Sequence, residues 1–222
     1  MSLTVDEVKE YISEYVKHYP VARYLNFKVR DSVNELYGEE LGQYYQDAKA
    51  GYKVYTTEID GLFGRIDIVA NRTQNLDELH KSLNHEILGH YGLNTFTPSE
   101  KKLILDSIIS HKTELSNLWE YVEKHYANEP LYLKAEEVFC LVAEEVAPAL
   151  HRGKAKHEFS LNPLTIEKLQ DIVLSVAEGI AYQVRFQQTF LHQDVTHLQY
   201  QLEQARNQFS EIENEIEDDL ER

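Results

Sequence analysis

Cysteine is nearly missing from this sequence, and so is any long apolar run. A single cysteine, Cys140, excludes an internal disulfide framework. No apolar stretch approaches the roughly 18 residues of a membrane span. The opening MSLTVDEVKEYISEYV has neither the basic start nor the apolar block of a signal peptide. The default expectation is a cytoplasmic protein with no membrane partner. Positive charge is scarce as well: 22 lysines and arginines stand against 38 aspartates and glutamates, for a formal net charge of −16. Such a surface repels phosphate backbones and anionic lipid, and no basic aromatic patch offsets it, so nucleic acid is not an expected partner.

What is present suits a folded domain. With 42% hydrophobic residues in 222, the chain can bury one ordinary core and carry an appendage. Thr4 and Glu7 form a capping-box pattern for a helix to about His18, with Val5, Val8, Ile12, Tyr15 and Val16 on one stripe. LNFKVRDS alternates like a strand, and VNELYGEELGQYYQDA reads as a short helix. GYKVYTTEI and GRIDIVAN, separated by DGLFG, predict a β-hairpin. GRIDIVAN puts Ile66, Ile68 and Ala70 on one face.

After Asn71 the pattern is helical. LDELHKSLNHEILGHYGL spaces Leu76, Leu79, Leu83, Ile87 and Leu88 for one face, and Thr97 to Glu100 opens a second helix predicted to run to about Asn128. A third helix is expected from Leu131 to Leu150, and a fourth from Pro163 almost to the end. The heptads Leu191, Val195, Leu198, Leu202, Ala205, Phe209, Ile212 and Ile216 predict a coiled coil. The expected class is α+β, mainly helical, with a small N-terminal β-sheet and a long C-terminal helix. Residues 1–162 form the expected domain and 163–222 the extension. Residues 191–216 are the expected surface for a homodimer or a partner protein.

The chemistry concentrates in LNHEILGHYG. Two histidines and a glutamate are the residue types of a hydrolytic zinc helix, where the histidines stand four apart, but His85 and His90 stand five apart. In an α-helix residues five apart diverge by about 140°, against about 40° for residues four apart. A single wider, π-type turn restores the convergence. Gly89 lowers the cost of that distortion. The plain alternative is a pair of histidines bonded to neighbouring helices.

A metal needs a third ligand. AEEVFCLVAEE offers Glu136, Glu137, Glu144 and Glu145 in an otherwise apolar helix, where at least one should point inward and find a cation or strong hydrogen bonds. The competing reading is a solvated stripe with Lys134 and Arg152 as surface partners. Cys140, in the same run, reads as a small buried thiol.

HEILGH followed by the Glu136-Glu137 pair resembles the dipeptidyl peptidase III family of zinc peptidases, whose signature is His-Glu-x-x-Gly-His and then a Glu-Glu-x-x-x-Glu type motif. Glu144 comes later than that family places its last glutamate. In layout, roughly residues 25 to 150 are more similar to the zincin-like metallopeptidase domains of large polyvalent proteins of phages and conjugative elements. The resemblance implies Zn2+ held by His85, His90 and Glu137, with Glu136 as the fallback ligand. It also implies Glu86 as general base, Glu144 orienting a ligand histidine, and GRIDIVAN as the sheet edge to which an extended peptide adds. The function it implies is hydrolysis of a peptide or protein substrate by a zinc-activated water. The setting it implies is a mobile genetic element, with delivery by a secretion or conjugation system. The dipeptide-releasing specificity of the far larger dipeptidyl peptidase III enzymes does not carry over.

An oxyanion donor is expected among Tyr91, His151, Arg152 and Tyr182. Two other readings compete. One is a catalytically inactive zincin scaffold that acts as a binding or assembly protein through its acidic coiled coil. The other is a dinuclear carboxylate centre using Glu86, His90, Glu137 and Glu144. That centre needs two Glu-x-x-His pairs, and the sequence has none at the right spacing.

Overall fold

The computed structural model describes residues 2–54, 63–147 and 160–186. The chain divides into two compact units, Met1–Gln187 and Gln188–Arg222, and all described residues fall in the first. The expected coiled coil, residues 191–216, lies outside the described residues, as do His151 and Arg152.

The fold is mainly helical α+β with one small mixed sheet. Helix α1, Val5–His18, starts at the expected capping box: the Thr4 side chain accepts from the Glu7 backbone while the Glu7 side chain accepts from the Thr4 backbone. Strand β1, Asn26–Arg30, precedes helix α2, Val33–Gly42, which is broken at Gly38. Strands β2, Ala50–Lys53, and β3, Arg65–Val69, pair antiparallel as the hairpin pattern predicts.

The sheet order is β1-β3-β2, with β1 parallel to β3. GRIDIVAN is therefore the central strand and not the edge, because both of its sides are taken by ladder hydrogen bonds. The edge beside the later helices is β2. Ile66 and Ile68 of β3 point into the core with Ala70 after them, all fully buried. On the opposite face Asp67 is also fully buried, with Arg65 Nε at 2.8 Å and Lys53 Nζ at 3.3 Å.

Helix α3, Leu76–Asn84, is capped by Asn75 and runs without a break into a π-helical segment, His85–Tyr91. The wider turn expected from the histidine spacing is present. Leu79, Leu83, Ile87 and Leu88 are buried as expected, while Leu76 is exposed.

The helix expected from Ser99 to about Asn128 is instead two, α4, Pro98–Ser110, and α5, Ser116–His125. Side chains compete with the backbone at the break. Ser110 Oγ donates to the Ser107 carbonyl at 3.0 Å, and a ring nitrogen of His111 lies 2.8 Å from the same oxygen. The turn lets the Trp119 indole N–H reach the Ile108 carbonyl at 3.3 Å.

Helix α6, Leu131–Glu144, ends short of the expected Leu150. Asn84 Nδ2 donates to the Val146 carbonyl at 2.8 Å just past its end, and Pro148 cannot continue a helix. Helix α7, Ile166–Ala181, is closed by Gln183 in a left-handed conformation, with the Val184 and Arg185 N–H groups donating to the Gly179 carbonyl. It does not run on as one helix from Pro163. Its Leu169, Ile172, Val173, Val176 and Ile180 belong to the core of the first unit. No helix among the described residues is long and apolar enough to cross a membrane.

Two glycines of LNHEILGHYG set how closely the helices approach the π segment. A Cβ on Gly89 would stand 2.6 Å from Cys140 Sγ and 3.0 Å from its Cα, so α6 lies directly on this residue. A Cβ on Gly92 would meet Val176 of α7 at 2.6 Å. Gly89 thus serves close packing as well as the wider turn. With neither Cβ present, α6 and α7 both reach the segment that carries the histidines.

Candidate metal centre

The π turn brings the imidazoles of His85 and His90 together, with ring centroids 5.1 Å apart and planes at 68°. Helix α6 faces them with Glu136, Glu137, Cys140 and Glu144, spaced one and two turns apart on one side of the helix.

Each imidazole is gripped at Nδ1 by one carboxylate. Glu144 Oε1 lies 2.9 Å from His85 Nδ1, and Glu136 Oε1 lies 3.0 Å from His90 Nδ1. A carboxylate at Nδ1 fixes the proton there and leaves the Nε2 lone pair free to ligate. Both Nε2 atoms turn to Glu137: His85 Nε2 is 3.3 Å from Oε2, and His90 Nε2 is 3.4 Å from Oε1. Glu136, the alternative ligand, faces away from this point, its second oxygen 3.1 Å from Lys101 Nζ.

The donor set fits a small divalent cation. Ligand bonds of about 2.0–2.1 Å meeting at tetrahedral angles put neighbouring donors roughly 3.3–3.4 Å apart. Each Nε2 stands at that separation from an oxygen of Glu137, His85 from Oε2 and His90 from Oε1, so the carboxylate spans the two rings. Oε2 of Glu137 is buried and has no partner in hydrogen-bond geometry, although His85 stands within ion-pair distance. A buried carboxylate oxygen without a donor is costly unless a cation compensates it.

Cys140 is a buried free thiol, as its apolar run predicts, and it also faces the histidines. It is fully buried, and His85, His90 and Cys140 each offer a ligand atom within 4.8 Å of the others, so this group can hold a metal ion. The helical offset of three residues from Glu137 was the signal that could have revealed it. The sulfur thus joins the two histidines in the group that can hold a metal, and Glu137 spans the same two rings.

The electrostatics without a metal point the same way. Burial works against a charged His85 ring, but Cys140, Glu137 and Glu144 outweigh it and hold its pKa well above the ordinary value. His90 behaves alike, burial being outweighed by Cys140, Glu136 and Glu137. Burial would raise Glu136, yet Lys101 and His90 hold it down at about 2. Glu137 is also held well below the carboxylate range, the two histidines overcoming its burial. Protonated histidines here occupy the electrostatic place of a cation.

Glu86 is buried beside this group and turns toward the sheet. Its Oε2 accepts from the Tyr52 backbone N–H of β2 at 2.6 Å. Burial raises its pKa against the pull of His85 and His90. Such a shift suits a group that must take up a proton near neutral pH.

Among the expected oxyanion donors, Tyr91 is fully buried and packed edge-on to Tyr52, and Tyr182 is half exposed beyond α7. Tyr126, at the end of α5, was not singled out from sequence. Burial, followed by the charge of Glu137, pushes its phenol pKa up, and Cys140 and His90 also act on it. It lies on a different helix from every motif residue, so spacing alone carried no sign of it.

The chain is similar to the protein described as DNA primase TraC of Escherichia coli, with 34% identity over 206 residues. The match takes in 86% of this chain but only 14% of that protein, so the chain is homologous to one region of a much longer relative. No family model matches, and no solved structure matches.

Proposed function

We propose that this chain is a zinc-dependent peptidase whose metal is held by His85, His90 and Glu137. The observation that carries the reading is the convergence of the two Nε2 atoms on one buried carboxylate, at 3.3 and 3.4 Å, with Glu86 on the next residue of the same turn. Bound zinc supplies Lewis-acid polarisation of a carbonyl and lowers the pKa of water. Glu86 does the proton work: with Oε2 tied to the Tyr52 N–H, its Oε1 takes a proton from the attacking water and returns it to the leaving amine.

The edge strand β2 carries the contact to Glu86 and is the place for an extended peptide to lie, in place of β3. A net charge of −16 favours a peptide over a phosphate backbone as substrate. The priming activity in the relative's name is said of that protein, of which this chain matches a small part.

The test is Glu86→Gln. The amide still accepts from Tyr52, so metal binding is retained, while hydrolysis of a mixed peptide library falls about 10²–10⁴-fold. Unchanged hydrolysis by that variant, or none by the zinc-loaded native chain, overturns the proposal.

Cys140 favours a second reading. If its sulfur joins His85, His90 and Glu137, the site is closed, with no position for water. The chain is then a metal-stabilised binding protein, with residues 191–216 as its partner surface. Cobalt substitution separates the two, because a thiolate ligand adds an intense near-ultraviolet charge-transfer band that Cys140→Ala abolishes. The peptidase reading expects no such band.

A further inference from the structure

The two histidines are held unequally. His85 is gripped by Glu144, whose side chain is 26% exposed and which has no lysine or arginine within ion-pair distance among the described residues. His90 is gripped by Glu136, which lies deeper and is itself paired with Lys101 at 3.1 Å.

Lys101 sits in the first turn of α4 with only 7% of its surface exposed. Lysine is rarely buried so deeply unless its charge has work to do. Here the ammonium also donates to Asn94 Oδ1 at 2.9 Å. Asn94 in turn donates its backbone N–H to the His90 carbonyl at 3.3 Å and to the Tyr91 carbonyl at 3.0 Å. The contacts close a ring: His90 imidazole, Glu136, Lys101, Asn94, and back to the His90 backbone.

We propose that Lys101 is a positioning residue for the metal centre, acting on His90 through Glu136. Its ammonium, anchored on Asn94, holds one Glu136 oxygen and so turns the other toward His90 Nδ1. The ring thereby fixes both the tautomer and the tilt of His90, with Nε2 presented toward Glu137. The compensated pair also adds no net negative charge beside the metal, whereas Glu144 does so at His85.

This inference rests on the reading that His85, His90 and Glu137 hold zinc, and its test keeps the two apart. Zinc affinity is measured by competition with a chromophoric chelator, alongside the visible absorption of the cobalt-loaded protein and circular dichroism of each variant. Lys101→Met is expected to weaken zinc binding about 10–100-fold and to alter the cobalt spectrum. Lys101→Arg, which keeps the charge, stays closer to the native chain.

Where Lys101→Met fails to fold because Glu136 is left uncompensated, the double change Lys101→Met with Glu136→Gln removes that charge. It is expected to fold and still show the weakened affinity. Native affinity in a folded Lys101→Met or in the double variant overturns the role of Lys101 while leaving the zinc site standing. A native chain that binds no zinc overturns both.

Discussion

Gly89→Ala should destabilise the protein even though it places a helix-favouring residue in a helical segment. Gly89 does not take a left-handed φ; among the described residues the positive-φ glycines are Gly38 and Gly64. On propensity alone the change would be worth about 1 kcal/mol in favour of alanine. Packing opposes it. The new Cβ would stand 2.6 Å from Cys140 Sγ, which can rotate, and 3.0 Å from Cys140 Cα, which can move only with α6. Overpacking of this kind costs about 1–3 kcal/mol. The expected outcome is a net loss on the order of 1 kcal/mol, with weaker metal binding because α6 carries Glu137. Urea unfolding of the metal-free protein, followed by circular dichroism, measures the first effect. Adding Cys140→Ala removes the 2.6 Å contact but leaves those to Cβ and Cα at 3.0 Å, so rescue should be partial. A Gly89→Ala protein as stable as the native chain, or more so, would refute the claim that close approach of α6 is what requires glycine.

Three further outcomes follow from the same contacts. Asn84 is fully buried, accepts from the Tyr15 hydroxyl at 2.8 Å and donates to the Val146 carbonyl at 2.8 Å. Asn84→Ala orphans both groups and should cost about 2–4 kcal/mol in urea unfolding, against about 1 kcal/mol for Tyr15→Phe. Metal-free stability should depend on pH from both sides. Glu136, lowered to about 2, contributes fully above its ordinary 4.5 and loses that contribution as pH falls toward 2. His85 and His90, raised, contribute fully below 6.5 and lose it as pH rises through their elevated values, while the raised Glu86 contributes fully below its ordinary 4.5 and begins to lose that above it. Chelated protein should thus be most stable toward the lower end of the window between 4.5 and 6.5, as followed by melting temperature across buffers. Zinc reverses the alkaline loss: its binding near pH 7 should release about two protons, read from the buffer dependence of the calorimetric enthalpy. At 100 times its Kd it should stabilise the fold by about 2.7 kcal/mol.

Much of this architecture was legible wherever a local rule was also the decisive one. The capping box at Thr4 forms as read, and the helix start at Thr97 proves to be another, because in each both partners lie within one turn. The five-residue histidine spacing foretold the π turn, since no regular helix could make His85 and His90 converge. The hairpin pairing was legible, but the place of β3 in the sheet was not. Its centre position depends on β1, some 35 residues upstream, choosing its free side. Helix ends at Ser110, Glu144 and Ala181 were missed where a continuing apolar pattern hid side-chain competition, a proline or a left-handed residue. At the site, the residues themselves said only that at least one glutamate of α6 should point inward, and the resemblance singled out Glu137 and Glu144, while Lys101 and Tyr126 came from helices whose own sequences gave no sign of the histidines.

The central claim is that His85, His90 and Glu137 form a site for one metal ion. Metal analysis of the purified native chain beside Glu137→Gln and His90→Ala tests it most directly. The account predicts about one equivalent of zinc in the native protein and a large loss in both variants, each still folded. A native chain that is metal-free, takes up no zinc on addition and melts at the same temperature with or without chelator would contradict it.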